Sequence, residues 1–86
     1  MKQNKTKNIK IQFFAGLKDA IGDHIFLQCE GDDTIELIKK RIIDSNPDSE
    51  NLINNSRFVI EGELVRLNAR IGIADEVIVL PPSSGG

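Results

Sequence analysis

Apolar and polar residues alternate in two segments near the start of the chain. Ile9, Ile11 and Phe13 are apolar at every second position, and the alternation returns over residues 24–29. A period of two predicts a strand with one apolar face in each segment. The short link between the segments favours an antiparallel pair, with one or two helical turns over residues 16–21.

A helix with one apolar face is predicted over residues 35–45. Isoleucines recur at i, i+3 and i+7 from position 35, which matches the helical period. Thr34 is a suitable N-cap, because its hydroxyl can accept a hydrogen bond from a free backbone N–H of the first turn. Pro47 cannot continue the helix and therefore marks its end.

Three further strands are predicted in the second half of the chain. Glu61-Gly62 is a turn signal between Arg57–Ile60 and residues 63–66, which indicates a hairpin. The apolar run Glu76–Leu80 predicts a central strand, and Pro81-Pro82 stops its ladder of hydrogen bonds.

The order ββαβββ predicts an α+β roll, with a mixed sheet of about five strands and one main helix packed across it. Residues 9–80 form the predicted domain, and the polar residues 1–8 are expected to be disordered. Residues 81–86 are expected to form an extended, flexible tail. Ile71 and Ile73, in the irregular crossover before the last strand, are expected to fill the core.

Composition narrows the classes of function. The chain has 86 residues, 11 basic and 13 acidic, and a net charge of −2, which does not favour nucleic-acid or membrane partners. No apolar run reaches about 20 residues, the length of a membrane span, and the polar N-terminus lacks the apolar region of a signal peptide. A single cysteine cannot form an internal disulfide. These features predict a small cytoplasmic protein.

Catalytic or metal-binding side chains are not grouped in the sequence. His24 is the only histidine and Cys29 the only cysteine, so we expect structural roles for both and no metal site. The basic residues 39–41 are expected to form a solvated helix face. The acidic pairs at 32–33 and 75–76 fit turns and strand edges or, alternatively, contacts with a basic partner.

The chain ends in Gly85-Gly86, behind Pro81-Pro82 and Ser83-Ser84. Glycine has no Cβ, so a backbone built from it can enter a slot too narrow for other residues. Two final glycines are also compatible with a frayed chain end. The preceding strand and the stiff proline pair favour the first interpretation, in which another protein reaches the tail as a reactive handle.

The segment IKIQFFAG at residues 9–16 and the segment DEVIVLPPSSGG at residues 75–86 stand at the two ends of the predicted domain. They resemble the first strand and the last strand with tail of the MoaD-type small subunit of molybdopterin synthase. Residues 33–36, before the lysine-rich helix, resemble the helix start of ubiquitin. The chain is thus similar to the ubiquitin-like β-grasp superfamily over residues 9–45 and 57–86.

The resemblance implies a sulfur carrier for molybdenum cofactor biosynthesis. A MoeB-like adenylyltransferase would use ATP to adenylate the Gly86 carboxylate, which would then become a thiocarboxylate. The thiocarboxylate would donate sulfur to precursor Z, the cyclic pyranopterin monophosphate, in a large MoaE-like subunit. Two small and two large subunits are expected per assembly. The chain would bind no cofactor stably and would not be catalytic by itself.

A docking face is expected on the side of the sheet opposite the helix. Phe14, Leu64 and Leu80 are predicted on that side, and the resemblance places the family's partner contacts at these positions. The alternative is that one or two of them pack under loops. The remaining predicted contacts lie along the tail, at Pro81, Pro82, Ser83 and Ser84, and Gly85 belongs with Gly86 to the predicted reactive end.

Differences from the family leave other functions open. Ile73-Ala74 stands where the family often has Asp-Gly, and Val79-Leu80 replaces an aromatic pair before the prolines. A ThiS-like sulfur carrier for thiamine thiazole synthesis shares the Gly-Gly end. A ubiquitin-like modifier, which forms isopeptides with target lysines, is the third hypothesis.

Overall fold

The computed structural model describes residues 6–83. A five-stranded sheet is packed against one long helix and two short ones. In chain order the elements are β1 (Thr6–Phe13), α1 (Ala15–Ile21), β2 (His24–Glu30), α2 (Ile35–Ser45), a 3₁₀ turn (Pro47–Ser49), α3 (Glu50–Asn54), β3 (Arg57–Ile60), β4 (Glu63–Val65) and β5 (Glu76–Leu80).

The strands lie in the order β2-β1-β5-β3-β4. β1 pairs with β2 in antiparallel fashion and with β5 in parallel, while β3 pairs with both β4 and β5 in antiparallel fashion. The last strand therefore lies in the centre of the sheet. The predicted α+β class, the mixed five-stranded sheet and the one main helix are all confirmed.

The α2 helix occupies the predicted residues. The Oγ1 atom of Thr34 accepts a hydrogen bond from the Leu37 N–H at 3.2 Å, which satisfies one free donor of the first turn. Ile35, Ile38 and Ile42 are fully buried against the sheet. Full burial of an aliphatic side chain of this size contributes about 1.5–3 kcal/mol, so these three residues anchor the helix.

The core lies between the sheet and the helices. It is built from strand residues of β1, β2, β3 and β5 that face the helices, together with residues of the helices and of the crossover. Its members are at most 4% exposed: Ile9, Ile11, Phe13, Leu17, Cys29, Ile35, Ile38, Ile42, Ile53, Phe58, Ile71, Ala74, Val77 and Val79.

The first strand begins earlier than the sequence predicts. Residues 6–8, expected to be disordered, belong to β1 and pair with the far end of β2, where Asn8 faces Gln28. The Gln28 side-chain N–H donates to the Asn8 Oδ1 at 2.6 Å. The expectation is therefore wrong for these three residues, because cross-strand pairing supplies partners that a polar segment alone does not reveal. Residues 1–5 lie outside the described part of the chain.

The crossover before β5 buries one of the two isoleucines expected to fill the core. Ile71 is 3% exposed, as predicted, but Ile73 is 87% exposed, so that prediction is wrong. Gly72 adopts a φ of +63°, which turns the chain and leaves Ile73 on the outside. Ala74 takes the inward position instead, at 4% exposure, and its N–H donates to the Ile71 carbonyl at 3.2 Å.

Within residues 6–83, none of the helices combines the length and the apolar character needed to cross a membrane.

Candidate docking site

The base of the tail leaves the sheet at its centre. Val77 and Val79 are fully buried, so β5 is held by side-chain packing as well as by both neighbouring strands. Pro81 is half-buried, whereas Pro82 and Ser83 are exposed. The structure thus presents the chain to solvent two residues after a firmly held strand. Ser84, Gly85 and Gly86 lie outside the described residues, and what we predict of them stays a prediction.

The face of the sheet opposite α2 carries an apolar row across three strands. Ile78 on β5 lies beside Val59 on β3, and Val59 lies beside Leu64 on β4. Paired residues of adjacent strands project to the same side, so the three side chains form one row. Leu64 is 58% exposed, and Val59 and Ile78 are half-buried. We call Val59, Leu64 and Ile78 the open-face row.

A second apolar surface lies where the tail leaves the sheet. Phe14 is 44% exposed and Leu80 is 37% exposed. Both line a groove of about 500 Å³, which we call the tail groove, together with Leu52 of α3. The other lining residues are Ala15, Gly16, Pro81, Pro82 and Ser83.

Two of the three residues predicted to form one docking face share the open face of the sheet, because Leu80 is two residues after Ile78 and projects to the same side as Leu64. Leu80 also lines the tail groove, where it meets Phe14. All three are exposed enough to meet a partner, and none is packed under a loop. Their role in partner binding stays a prediction.

Ala15 adopts an unusual backbone conformation at the edge of the tail groove. Its φ is +50°, a region that costs an L-residue roughly 1–2 kcal/mol. This conformation lets the chain turn from β1 directly into α1, where the Leu17 N–H donates to the Phe14 carbonyl at 3.1 Å. Alanine in the sequence gives no sign of it, since glycine is the residue that signals positive φ.

Arg57 is a candidate contact residue that the sequence does not reveal. It lies beside Leu80 in the β3–β5 register and is exposed. With Asn55 and residues 81–83 it lines a second groove, of about 390 Å³, on the other side of the tail. The base of the tail therefore runs between an apolar groove and a groove that carries a cation.

His24 and Cys29 have the structural surroundings that we expect. The His24 Nδ1 lies 2.8 Å from the Asp23 Oδ2, and this hydrogen bond is the largest cause that lowers the pKa of the Asp23 carboxyl. Cys29 is 1% exposed, and its burial raises the pKa of its thiol. Among residues 6–83 no three metal-ligating side chains are grouped.

The basic residues of α2 do not form a single solvated face. Lys40 is exposed and lies 4.0 Å from the Asp44 carboxylate. Arg41, by contrast, is half-buried and donates from Nη1 to the Gln28 carbonyl at 2.7 Å, which occupies an acceptor on the edge strand β2. Lys39 is half-buried and lines the space between α2 and the β3–β4 hairpin. The prediction is thus wrong for two of the three residues.

The predicted acidic pairs differ in their roles. The Asp33 Oδ2 accepts a hydrogen bond from the Glu30 N–H at 2.9 Å, which is a turn contact and confirms the structural interpretation there. Asp75 is highly exposed and lies 3.5 Å from the Lys7 ammonium. An exposed ion pair of this kind contributes little to stability, and a partner contact at Asp75 stays open.

No protein-family model matches this sequence, and no curated protein matches it significantly. Solved structures do match. SAMP1 from Haloferax volcanii has a TM-score of 0.77 and 21% identity, covering 93% of this chain and 100% of that chain. The ubiquitin of Caldiarchaeum subterraneum has a TM-score of 0.66 and 15% identity, covering 95% and 100%.

A third similar structure is the complex of subunits 1 and 2 of the molybdopterin-converting factor from Helicobacter pylori 26695. It has a TM-score of 0.65 and 16% identity, and the match covers 93% of this chain and 100% of that chain. At these identities the similarity establishes the fold alone, which is the ubiquitin-like β-grasp. The predicted fold is confirmed, and it is shared by protein modifiers and by a molybdopterin-converting factor.

Proposed function

We propose that this chain is the sulfur carrier subunit of a molybdopterin synthase. The observation that supports this most directly is the path of the tail. The last strand lies in the centre of the sheet and releases residues 81–83 between two grooves. A carrier needs this arrangement, with a rigid body close to a partner and a narrow chain that extends away from it.

The proposed chemistry takes place at the Gly86 carboxylate. A terminal carboxylate has a pKa of about 3.5 and is ionised at neutral pH, so it is a poor electrophile. Transfer of AMP from ATP, with release of pyrophosphate, converts it into an acyl-adenylate with a good leaving group. A sulfur donor then displaces AMP and leaves a thiocarboxylate on Gly86. A MoeB-like adenylyltransferase supplies the ATP site in this scheme.

The thiocarboxylate then acts in the large, MoaE-like subunit. Residues 81–86 span at most about 20 Å when extended, which is enough to reach an active site below that subunit's surface. Pro81 and Pro82 restrict the backbone before binding, so less entropy is lost when the tail is threaded. Gly85 and Gly86 allow a close approach of the backbone. There the sulfur passes to precursor Z.

Docking of the body uses the open-face row and the tail groove. Leu64 and Leu80 are exposed leucines of these two surfaces, at 58% and 37%. Exposed apolar groups next to a functional segment mark a protein contact. Phe14 completes the tail groove, and Pro82 and Ser83 continue it towards the reactive end. We propose a heterotetramer of two carriers and two large subunits.

A second candidate function is that of a protein modifier. It is favoured by the similarity to SAMP1, a small archaeal modifier protein, and to a ubiquitin. A modifier would use the same activated Gly86 carboxylate, but a lysine amine of a target protein would attack it. A sulfur carrier for thiazole synthesis would share the thiocarboxylate and differ in its acceptor.

The decisive experiment is intact-mass spectrometry of the chain purified from its native cells. A gain of about 16 Da at Gly86, from one oxygen replaced by sulfur, supports the carrier. Lysine conjugates together with an unmodified chain would contradict it and support the modifier. Reconstitution with a large subunit and precursor Z then separates the molybdopterin carrier from the thiazole carrier.

Deletion of Gly86 tests the site of the proposed chemistry, and a second variant is its control. The deletion variant should unfold at the same temperature as the parent, because Gly86 lies beyond β5, and it should transfer no sulfur. The variant Ile73→Ala keeps the whole tail, changes an exposed residue of the crossover, and should transfer sulfur at close to the parent rate. Sulfur transfer by the variant that lacks Gly86 would contradict the proposed mechanism.

A further inference from the structure

A groove of about 450 Å³ runs along the edge strand β4, next to α2 and the chain after α3. We call it the edge groove. Its lining combines an apolar floor, three cationic side chains and two polar ones. The lining residues are Phe58, Leu64, Val65 and Leu67, then Lys39, Arg57 and Arg66, and finally Asn54 and Ser56.

The charge of the edge groove is opposite to that of the whole chain. The protein has a net charge of −2, yet the groove is lined by three cations and by no acidic residue. In the described part of the chain, Lys39, Arg57 and Arg66 form no ion pair within 4.0 Å. Three cations brought together without a counter-charge repel one another, and an anionic partner relieves that repulsion.

Nearby acidic residues lie on the other side of Lys39. Glu36, Asp44 and Glu50 line a separate groove between α2 and α3, which shares Lys39, Asn54 and Leu67 with the edge groove. The positive charge is therefore strongest around Arg57 and Arg66, which lie at the end of the β3–β4 hairpin away from its turn. A partner must place its acidic groups at this end.

The floor of the groove is exposed and apolar. Leu64 is 58% exposed and Leu67 is 39% exposed. β4 has only three residues and pairs only with β3, so one side of it faces the groove without a strand. Exposed leucines flanked by arginines are typical of a protein contact, in which apolar area and charge act together.

We propose that the edge groove binds an acidic segment of a partner protein. Carboxylates of the segment pair with Arg57 and Arg66, and one apolar side chain covers Leu64 and Leu67. Arginine suits this role, because its planar guanidinium can bind a carboxylate through two parallel hydrogen bonds. The groove lies along the unpaired edge of β4, which fits an extended polypeptide.

The edge groove is continuous with the surfaces described above. Leu64 belongs both to it and to the open-face row, and Arg57 lines both it and the groove beside the tail. A protein that docks at the tail therefore reaches the edge groove without a break in the contact. The inference goes beyond the sulfur chemistry, because the groove binds its partner segment whether or not Gly86 carries sulfur.

The test is a nuclear magnetic resonance titration of the ¹⁵N-labelled full chain. The probe is a synthetic ten-residue peptide in which glutamate and leucine alternate, and the control peptide has lysine in place of glutamate. We expect the glutamate peptide to shift the amide signals of Leu64, Val65 and Leu67. We expect binding to weaken at least tenfold in about 0.5 M salt, where charge pairs at the surface are strongly screened.

Charge-reversal variants locate the contact. Arg66→Glu and Arg57→Glu should each weaken peptide binding at least fivefold. Lys18→Glu changes the net charge equally but lies on α1, away from the groove, and should bind like the parent. Absence of binding at millimolar peptide, equal binding of the lysine peptide or equal loss in all three variants would overturn the inference. Failure of the sulfur carrier proposal is seen separately, in the mass of the tail.

Discussion

The two faces of the sheet, built from the same strands, have opposite properties. On the α2 side, Ile11, Phe13 and Val79 are fully buried. On the other side the neighbouring residues of the same strands are half-buried or exposed, as Gln12 and Leu80 show. Because side chains alternate along a strand, a single strand serves both faces. The covered face holds the fold together, and the open face and its margins are available to partners.

The comparison teaches that stability and docking are assigned to alternate residues and can therefore be tested separately. A substitution on the covered face should change the free energy of unfolding and affect docking only through it. A substitution on the open face should weaken docking and leave the free energy of unfolding nearly unchanged. The following predictions run from the largest expected effect to the smallest.

Adjacent phenylalanines give the sharpest contrast. Phe13→Ala should lower the free energy of unfolding by about 3–5 kcal/mol, since it removes a fully buried ring and leaves a cavity. Phe14→Ala should lower it by about 1 kcal/mol or less, because that ring is 44% exposed. Urea unfolding followed by circular dichroism measures both. Equal losses would show that the two faces are not separate.

Leu80→Ala tests docking at the tail groove. We expect the free energy of unfolding to change by less than about 1 kcal/mol. We expect thiocarboxylate formation by the adenylyltransferase to slow about tenfold, which corresponds to about 1.4 kcal/mol of lost contact. Ile73→Ala is the matched control, since Ile73 is 87% exposed and lies in the crossover, away from the tail. An equal loss of rate in the control would contradict a specific site at Leu80.

Ala15→Gly tests the junction between β1 and α1. Glycine adopts a φ of +50° at little steric cost, so the variant should be more stable by about 1 kcal/mol. Ala20→Gly, in the same helix, should instead be less stable by about 0.5–1 kcal/mol. Thermal unfolding of both variants measures the difference. Destabilisation by Ala15→Gly would show that the positive φ stores no strain.

The smallest expected effect concerns the exposed Asp23. Its pKa is lowered below 3.8, first by the hydrogen bond to His24 and then by that to Gln12. A lowered pKa in the folded state adds stability above the unfolded pKa, and this stability is lost as the pH falls through the folded pKa. The Asp23 carboxyl should therefore titrate below pH 3.8 in a carbon-13 experiment, and its midpoint should rise in His24→Ala. A midpoint at 3.8 in the parent would contradict the prediction.

Elements whose signals are local could be predicted from the sequence. α2 has its cap at Thr34, its isoleucines at helical spacing and a proline after its end, and it begins and ends where these signals place it. The hairpin between β3 and β4 turns at Glu61 and Gly62, both at positive φ, which matches the turn signal there.

Features that depend on distant residues could not be predicted. The polar start of β1 is ordered by β2, which follows it in the chain by more than ten residues. The exposure of Ile73 follows from the backbone conformation of Gly72. The edge groove exists because α2 brings Lys39 near Arg57 and Arg66, and spacing along the sequence carries no sign of that proximity.

The parallel pairing of β1 with β5 has a mechanical consequence. The two strands lie side by side in the centre of the sheet and run in the same direction, so the chain enters the pair at one end and leaves at the other. A force that pulls the two termini apart loads the hydrogen bonds of this pair in shear, all at once. The folded domain should therefore resist unfolding by a protein that pulls on its tail. The force at which the domain unfolds reports on its rate of unfolding.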